Sequence, residues 1–340
     1  MTHKALSIAV AATALLMSAC GGKSGSTSEA ASSDGENAET VSVPAFSADS
    51  AYAYVARQTQ AGPRVPGSAA HAATADWLEA QLRAFGADTV IVQRATMADA
   101  EGKQLPVRNI LAKYNPDATN RLLLLAHYDS RPWADEDPDP ANHSKPIDGA
   151  NDGASGVGVL LEVARQLGLQ NPGTGVDILF TDTEDSGLSA PEGADAATQE
   201  RYDRSWCLGT QHFVRNLPYD AAHVPTAAVL LDMVGGKDAV FPQEYFSAQA
   251  APALLQRVAD AAAEAGHSGR FPATMGGAVN DDHVPLIQAD IPAVDIIEIG
   301  HPQTGSFNPT WHTLQDNLQN IDPATLGAVG ETVLTLIYRK

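Results

Sequence analysis

Cysteine is scarce in this chain of 340 residues, which contains only Cys20 and Cys207. If Cys20 carries a lipid, as its surroundings indicate below, no intramolecular disulfide can form. The fold must then be stabilised by an apolar core, and hydrophobic residues make up 44% of the chain, which is enough for one. We interpret Cys207 as a buried structural thiol rather than a nucleophile.

Positive charge is also scarce. Lys and Arg total 21 residues against 41 Asp and Glu, which gives a formal net charge of −20 and a pI near 4.7. Proteins that bind nucleic acid need a basic surface, so the composition argues against that class of partner. The excess of negative charge favours solubility and carries no information about the fold.

A hydrophobic run long enough to span a bilayer is missing as well, because the apolar residues 5–17 are too few. This run follows Lys4, and residues 1–19 are typical of an export signal. The segment Met17-Ser18-Ala19-Cys20 resembles the cleavage box of bacterial lipoproteins, in which the cysteine is lipidated. The alternative is ordinary secretion with cleavage near Ala19.

The expected cellular location follows from residues 1–20. We expect an exported lipoprotein at the periplasmic face, held to the membrane only through a lipid on Cys20. By resemblance to sorting signals, Gly21 favours the outer membrane. Residues 20–45 are rich in Ser, Gly, Ala, Glu and Thr and nearly lack large apolar side chains, so they are expected to form a disordered tether. Residues 46–340 contain no second linker or repeat, and we interpret them as one domain.

Apolar patterns in this domain alternate between strand and helix. A continuous apolar run at residues 122–126 is typical of a strand buried on both faces. The alternation predicts an α/β fold with a mostly parallel, mixed central sheet flanked by helices on both faces. Strands are predicted over residues 89–93, 108–113, 122–126, 176–181, 227–231 and 293–299, and helices over residues 51–58, 69–85, 157–167, 250–265 and 323–338.

Five side chains that can bind zinc recur at predicted strand ends or in loops beside them: His127, Asp152, Asp185, Asp232 and His312. Side chains at the carboxyl ends of parallel strands meet at one edge of a sheet, where open α/β folds build their sites. Taken singly, each has an ordinary interpretation, for example a loop histidine or, at Asp152, a helix N-cap. Their joint order favours a metal centre.

Two acidic clusters accompany these residues. Residues 182–185 place three acids in four positions, and such crowding calls for a cation or a raised pKa. Within it, Asp185 can bind a metal while Glu184, kept off the metal, moves protons. The second cluster, at residues 280–283, contains Asp281. A solvated acidic loop is the alternative for the first of them.

The motifs around these residues resemble those of the zinc-dependent aminopeptidase superfamily, and more narrowly its glutaminyl cyclase branch. The similarity covers residues 69–322. The branch markers are residues 281–285, Trp311 directly before His312, and residues 316–317. The matching motifs are residues 126–130, 149–152, 183–185, 231–232, 281–283 and 311–313.

The resemblance implies a three-layer fold and one catalytic zinc ion held by Asp152, Asp185 and His312. Glu184 would be the general acid/base, and Trp311 a wall of the substrate pocket. Asp281 and Asp232 would form the hydrogen-bond network of Glu184. Such enzymes convert the N-terminal glutamine of peptides and proteins to pyroglutamate and release ammonia. We expect a monomer.

Two departures from the branch stand out. Its members more often have glutamate at the position of Asp185, so the metal or the loop must shift. Animal members commonly carry a cysteine pair near this site, and Ala126 replaces one of the two. Residues 186–203 are interpreted as an acidic, solvated insertion rather than a lid.

Two other functions compete with the cyclase. A dinuclear zinc aminopeptidase would use all five ligands, with His127 and Asp232 at the second ion, and would release free N-terminal amino acids. A non-catalytic periplasmic binding lipoprotein fits the tether and the α/β body, but not the complete ligand set beside Glu184.

Overall fold

The computed structural model describes residues 42–339. The predicted signal sequence, the lipidation site at Cys20 and most of the predicted tether lie outside these residues, and those expectations stay predictions. Contacts with the core begin slightly before residue 46, since Val43 packs against it and Gln166 Nε2 donates to Ala45 O at 2.9 Å. Among residues 42–339, no helix combines the length and the apolar character that crossing a bilayer requires.

In residues 42–339, one six-stranded mixed sheet forms the centre of the fold. The strands are β1 (Thr89–Ala98), β2 (Gln104–Tyr114), β3 (Arg121–His127), β4 (Gly175–Thr181), β5 (Ala227–Asp232) and β6 (Ala293–Ile297). Their spatial order is β1-β2-β4-β3-β5-β6. Strands β4, β3, β5 and β6 run parallel, whereas β2 is antiparallel to both β1 and β4. The predicted fold class is confirmed.

Helices cover both faces of the sheet. They are α1 (Ala48–Thr59), α2 (Ala69–Ala84), α3 (Ala154–Leu169), α4 (Ala196–Asp203), α5 (Leu208–Arg215), α6 (Tyr245–Ala250), α7 (Pro252–Glu264), α8 (His283–Gln288) and α9 (Pro323–Tyr338). The single helix predicted over residues 250–265 is wrong at its start. The chain breaks at Ala251, with φ −139° and ψ 49°, because a residue that precedes proline is disfavoured in the helical conformation.

Alternation along β3 shows how the sheet is buried on both sides. Leu122 and Leu124 belong to the core that α1, α3 and α9 complete, whereas Leu123 and Leu125 belong to a second core with Phe213 of α5 and Leu286 of α8. Successive side chains of a strand point to opposite faces, so a strand between two layers must be apolar throughout. The result is a three-layer arrangement of helix, sheet and helix.

The carboxyl ends of the parallel strands form the edge that carries the chemistry. Strand β3 lies between β4 and β5, so the chain moves to opposite sides of β3 in its next two crossovers. Such a switch point opens a crevice in α/β folds. Helix α3 lies directly over β5 here, because a Cβ on Gly156 would stand 2.1 Å from Leu231 O. This approach brings the start of α3 to the strand ends.

Candidate metal centre and active site

Three of the predicted zinc ligands meet at this edge of the sheet. His312 Nε2 lies 3.2 Å from Asp185 Oδ1 and 3.5 Å from Asp152 Oδ2. One ligand atom of each residue lies within 4.8 Å of those of the other two, and all three residues are buried. They come from three loops, which follow β3, β4 and β6. Residues distant in sequence therefore bring their donor atoms close to one point.

The loop before α3 leaves the Asp152 carboxylate free to face the imidazoles. The N-cap of α3 is Gly153 rather than Asp152, and it makes no side-chain capping bond. Gly153 has φ 90°, and a Cβ there would lie 2.8 Å from Asp129 O and 2.9 Å from His127 Cε1. Only glycine fits that conformation and that space. The capping interpretation of Asp152 is wrong.

Left-handed backbone is concentrated around the site. Of the seven non-glycine residues with positive φ in residues 42–339, four are found here: Thr183, Cys207, Met233 and His312. Thr183 precedes Glu184, Met233 follows Asp232, and His312 is itself a proposed ligand. Such conformations cost about 1–3 kcal/mol each and persist where the surroundings enforce them. These left-handed residues change the direction of the backbone directly after the strands end, and so determine where the neighbouring side chains point.

The donor set suits a divalent cation. Two carboxylates face one imidazole, and Asp185 Oδ2 is buried without a hydrogen-bond partner in the described part of the chain. Burial and the neighbouring Asp152 charge raise the pKa of Asp185. Against the effect of burial, the Asp185 and Asp135 carboxylates raise the pKa of His312 to about 9. Oxygen and nitrogen donors in a group of three fit a catalytic zinc site with an open fourth position.

A second group of three possible ligands adjoins the first and shares Asp152 with it. His127 Nε2 lies 3.0 Å from Asp152 Oδ1 and 3.2 Å from Asp232 Oδ1. The three donors again lie within 4.8 Å of one another. The structure thus brings together all five residues that a dinuclear site would need.

Glu184 lies beside the first group but is not part of it. Its carboxylate belongs to a separate buried cluster with Asp281 and Cys207, and Cys207 Sγ donates to Glu184 Oε1 at 3.4 Å. Burial, followed by the charge of Asp281, raises the pKa of Glu184 well above its usual value. Burial and the Asp232 charge do the same for Asp281. Two acids that cannot both ionise easily form a natural proton carrier.

Cys207 is buried and free, as expected of a structural thiol. Burial raises its pKa well above the usual value, and the carboxylate of Glu184 adds to the shift. Because the thiolate is the reactive form, this environment is unsuited to a nucleophile.

Asp129 and Arg64 position the loops that carry the ligands. The Asp129 carboxylate accepts the backbone N–H groups of Glu184 at 3.1 Å and of Asp185 at 3.2 Å. Arg64, fully buried, donates to Tyr128 O at 2.8 Å and to Gly149 O at 2.7 Å. The loop before α3 is also held by Asp316, whose carboxylate accepts the N–H groups of residues 151 and 152 at 2.7 and 3.1 Å.

Arg131 and Asp135 link two proposed ligands, and the sequence analysis did not identify either residue. Arg131 Nε donates to Asp135 Oδ1 at 2.7 Å, and that oxygen lies 3.4 Å from His312 Nδ1. Arg131 Nη1 also donates to Asp185 O at 3.1 Å. A carboxylate on the far nitrogen of a ligating histidine fixes the ring and its tautomer. The spacing of four residues between Arg131 and Asp135 was the only available signal.

A cavity of about 290 Å³ opens over these groups. Trp311 lines it and stacks on His312, with ring centroids 3.7 Å apart. Its apolar lining comes from residues such as Met233, Ile297 and Phe307. Six carboxyl groups also line it: Asp152, Glu184, Asp185, Asp203, Asp232 and Asp281. A concave site with an aromatic wall and convergent polar groups is typical of a small-substrate pocket.

Comparison with known proteins agrees with this geometry. The model of peptidase family M28 matches residues 109–337, which contain every strand from β3 onward and all five possible ligands. The chain belongs to peptidase family M28. A curated relative, glutaminyl-peptide cyclotransferase of Bos taurus, is 25% identical over 282 residues, which cover 77% of this chain and 74% of the relative.

Solved structures of this family are closer in sequence. A glutaminyl cyclase from Porphyromonas gingivalis is 50% identical, with a TM-score of 0.79, and the match covers 86% of this chain and 97% of that one. A Zn-dependent exopeptidase from Parabacteroides distasonis is 47% identical, with a TM-score of 0.82, over 88% of this chain and all of that one (100%). The predicted resemblance to glutaminyl cyclases is confirmed.

Proposed function

We propose that this protein is a glutaminyl-peptide cyclotransferase, which converts the N-terminal glutamine of peptides and proteins to pyroglutamate and releases ammonia. The observation that carries the proposal is the position of Glu184. Its buried carboxylate lies next to three convergent metal donors without joining them, and one of its oxygens lies within 4.8 Å of a carboxylate oxygen of a second acid, Asp281. The similarity to solved glutaminyl cyclases supports the same reaction.

Glu184 supplies the proton transfers that cyclisation needs. The α-amine of glutamine attacks its own γ-amide carbon, so one proton must leave the amine and one must reach the departing nitrogen. Because the pKa of Glu184 is raised, its carboxylate is a stronger base than an exposed glutamate, and its acid form is available to protonate the leaving group. No water molecule is consumed.

Positioning supplies much of the remaining rate, because both reacting groups belong to one residue. Trp311 and Ile297 form an apolar wall that holds the glutamine side chain folded in the cavity. Asp152, Asp185 and His312 would hold one zinc ion, which supplies Lewis-acid polarisation of the γ-amide carbonyl. Asp232 and Asp281 would orient Glu184 and share its proton.

The test is turnover of a Gln-initiated peptide by the purified chain. We expect release of one ammonia per peptide, a product lighter by the mass of ammonia, and one zinc ion per chain. A peptide that begins with Leu is the control and should remain intact. Failure to release ammonia from the Gln-initiated peptide by the zinc-loaded protein would overturn the proposal.

The second candidate is a dinuclear aminopeptidase, favoured by the group of His127, Asp152 and Asp232. In that enzyme Glu184 would activate a water molecule between two ions. Two zinc ions per chain, together with free leucine from the control peptide, would establish this function instead. The metal count and the product are independent measurements, so each checks the other.

We also propose that the protein is an exported lipoprotein, anchored through Cys20 and acting on peptides at the periplasmic face, as a monomer. The support is the sequence of the first twenty residues. Replacing Cys20 by Ala should move the protein from the membrane fraction to the soluble fraction. A wild-type protein found only in the soluble fraction would contradict the anchor.

A further inference from the structure

A second cavity, of about 710 Å³, adjoins the cavity over the metal centre. It runs between α4 and α5 on one side and α8 on the other, and we call it the lateral groove. The two cavities have four lining residues in common: Asp203, Trp206, Ala278 and Asn280. The two cavities are therefore neighbours, and the residues that they share lie between Glu184 and the lateral groove.

Two of the four shared residues are hydrogen-bonded to each other. Asn280 Nδ2 donates to Asp203 O at 3.1 Å, and both residues are exposed. Asn280 directly precedes Asp281, the acid beside Glu184, and α8 follows two residues after Asp281. The floor of the lateral groove is thus built by the same segment that places the proposed proton carrier.

The lining has the composition of a peptide-binding surface. Apolar side chains come from Trp206, Val214, Phe246, Val284 and Pro285, and Phe246 is 38% exposed. Amide side chains of Gln211 and Gln288 lie among them. Apolar walls with a few polar groups favour extended chains whose side chains and backbone are both contacted.

Charge differs along the line that joins the two cavities. The cavity over the metal centre carries six carboxyl groups, whereas the lateral groove carries only two, of Glu200 and Asp203, and these are balanced by Arg204 and Arg215. Arg204 pairs with Glu200, but Arg215 contacts Gln211 Oε1 at 3.0 Å and forms no ion pair within residues 42–339. A peptide bears a positive amine at its first residue and a negative carboxylate at its end, so it matches this gradient in one direction only.

We propose that the lateral groove binds the residues that follow the N-terminal glutamine, so that the preferred substrates are peptides rather than single glutamine derivatives. This inference rests on the proposed cyclase function. An acidic side chain downstream of the glutamine, or a nearby C-terminal carboxylate, lies against Arg215. The apolar lining contacts the side chains between them.

The experiment compares kcat/KM for glutamine amide with that for Gln-initiated dipeptide, tripeptide and tetrapeptide amides of one series. We expect kcat/KM to rise roughly tenfold from glutamine amide to the tetrapeptide, the scale of one apolar side chain entering a pocket. The gain should be in KM, because binding remote from the reaction lowers KM with little change in kcat. A kcat/KM that is independent of length overturns the inference.

Two variants localise the effect. Gln288 is exposed at the end of α8, and Gln288→Trp fills the lateral groove, so the ratio of tetrapeptide to glutamine amide kcat/KM should fall to about one. In Arg215→Ala, the preference for an acidic tetrapeptide over its neutral analogue should fall about threefold, the scale of an exposed ion pair. Arg257→Ala, an exposed arginine at the amino ends of the strands, is the control and keeps both ratios.

The outcomes separate this inference from the function on which it rests. If Gln288→Trp turns over glutamine amide and keeps the wild-type ratio of tetrapeptide to glutamine amide kcat/KM, the lateral groove does not bind the substrate. The proposed cyclase function would be unaffected by that result. Absence of ammonia release from every substrate would overturn the cyclase and the lateral groove together.

Discussion

Buried charge occurs at both ends of the central sheet, and the two ends handle it differently. At the amino ends of the parallel strands, Arg121 Nε donates to Asp177 Oδ2 at 3.0 Å and Arg121 Nη2 to Asp177 Oδ1 at 2.6 Å. Arg121 also donates to the carbonyls of residues 115, 116 and 118, and Tyr219 donates to Asp177. Within residues 42–339, this pair leaves no side-chain nitrogen or oxygen without a partner.

At the carboxyl ends, acids outnumber their partners. Asp185 Oδ2 and Asp281 Oδ2 are buried without hydrogen-bond partners in the described residues. Both oxygens of Asp295, in the middle of β6, also lack hydrogen bonds there, although His283 Nδ1 lies 3.7 Å from Asp295 Oδ2. Burial, followed by the charges of Asp281 and Asp232, raises the pKa of Asp295 well above its usual value. These groups are only a strand length from Arg121 and Asp177, so their state does not come from a general feature of the fold.

The comparison separates structural from functional charge. In a buried ion pair whose hydrogen bonds are all made, the two charges neutralise each other. Such a pair needs no additional ion, proton or ligand. A buried excess of carboxylates is costly unless a cation, a proton or a substrate amine completes it. Concentrated acids without partners therefore mark the end of the sheet where we propose that a metal ion and the amine of a peptide bind.

The comparison is tested most severely by Glu184→Gln. The change removes the proposed proton carrier while keeping its shape, so kcat should fall by about 10²- to 10⁴-fold, the range for a general acid/base. Zinc content should be unchanged, because Glu184 is outside the ligand group. Glu101→Gln, at an exposed position between β1 and β2, is the matched control. Turnover in Glu184→Gln equal to that of the wild type would refute the role of this residue.

At the opposite end, Arg121→Met should affect stability rather than chemistry. It leaves Asp177 buried without its partner, and breaking a buried pair in this way costs about 3–5 kcal/mol. The urea midpoint of unfolding measures the loss, with the exposed Arg257→Met as control. The specific activity of the folded fraction should be that of the wild type. If this variant loses zinc or kcat without losing stability, the ion pair at the amino ends of the strands affects the chemistry at their carboxyl ends, and the two ends are not independent.

Much of the fold could be predicted from the sequence because its buried strands are continuous apolar runs. Helix α9 begins and ends as predicted, since Pro323 opens it and its pattern is unbroken. Helices α4, α5, α6 and α8 were missed. They are only 6 to 8 residues long, and α8 contains Pro285, which is tolerated only because it lies in the first turn. Short helices are fixed by packing on the sheet, which periodicity does not reveal.

The candidate site was predictable to the same degree. Its possible ligands follow strand ends, so the topology brings them together once the sheet is known. The partners of those ligands were not predictable. Asp135 approaches His312, and Arg131 reaches Asp185, only because the loop after β3 folds across the other two loops that carry ligands. The left-handed conformation of His312 also has no sequence signal, since the residue is not glycine.

Zinc binding at the carboxyl ends of the strands should depend on the contact between Asp135 and His312. Asp135→Asn keeps the shape but weakens the charge on the far nitrogen of His312, so zinc affinity should fall about 10- to 100-fold. Competition with a chelator measures the affinity, independently of activity. Glu136→Gln changes the exposed neighbouring acid and should leave the affinity unaltered. An unchanged zinc affinity in Asp135→Asn would mean that His312 needs no partner of this kind.

The smallest expected effect is a shift in pH dependence. Glu184 acts as a base, so kcat/KM should fall as the pH drops through its raised pKa. Asp281→Asn removes the nearby negative charge that contributes to that rise, so the acid limb should move to lower pH even though the rate decreases. Rates are compared at equal concentrations of uncharged substrate amine, because the substrate amine titrates alike with both proteins. Asp290→Asn, at an exposed position, is the control. An acid limb that stays in place or moves to higher pH would show that Asp281 does not raise the pKa of Glu184. The acids at this end would then titrate independently, and their difference from the Arg121–Asp177 ion pair at the other end would have no consequence for catalysis.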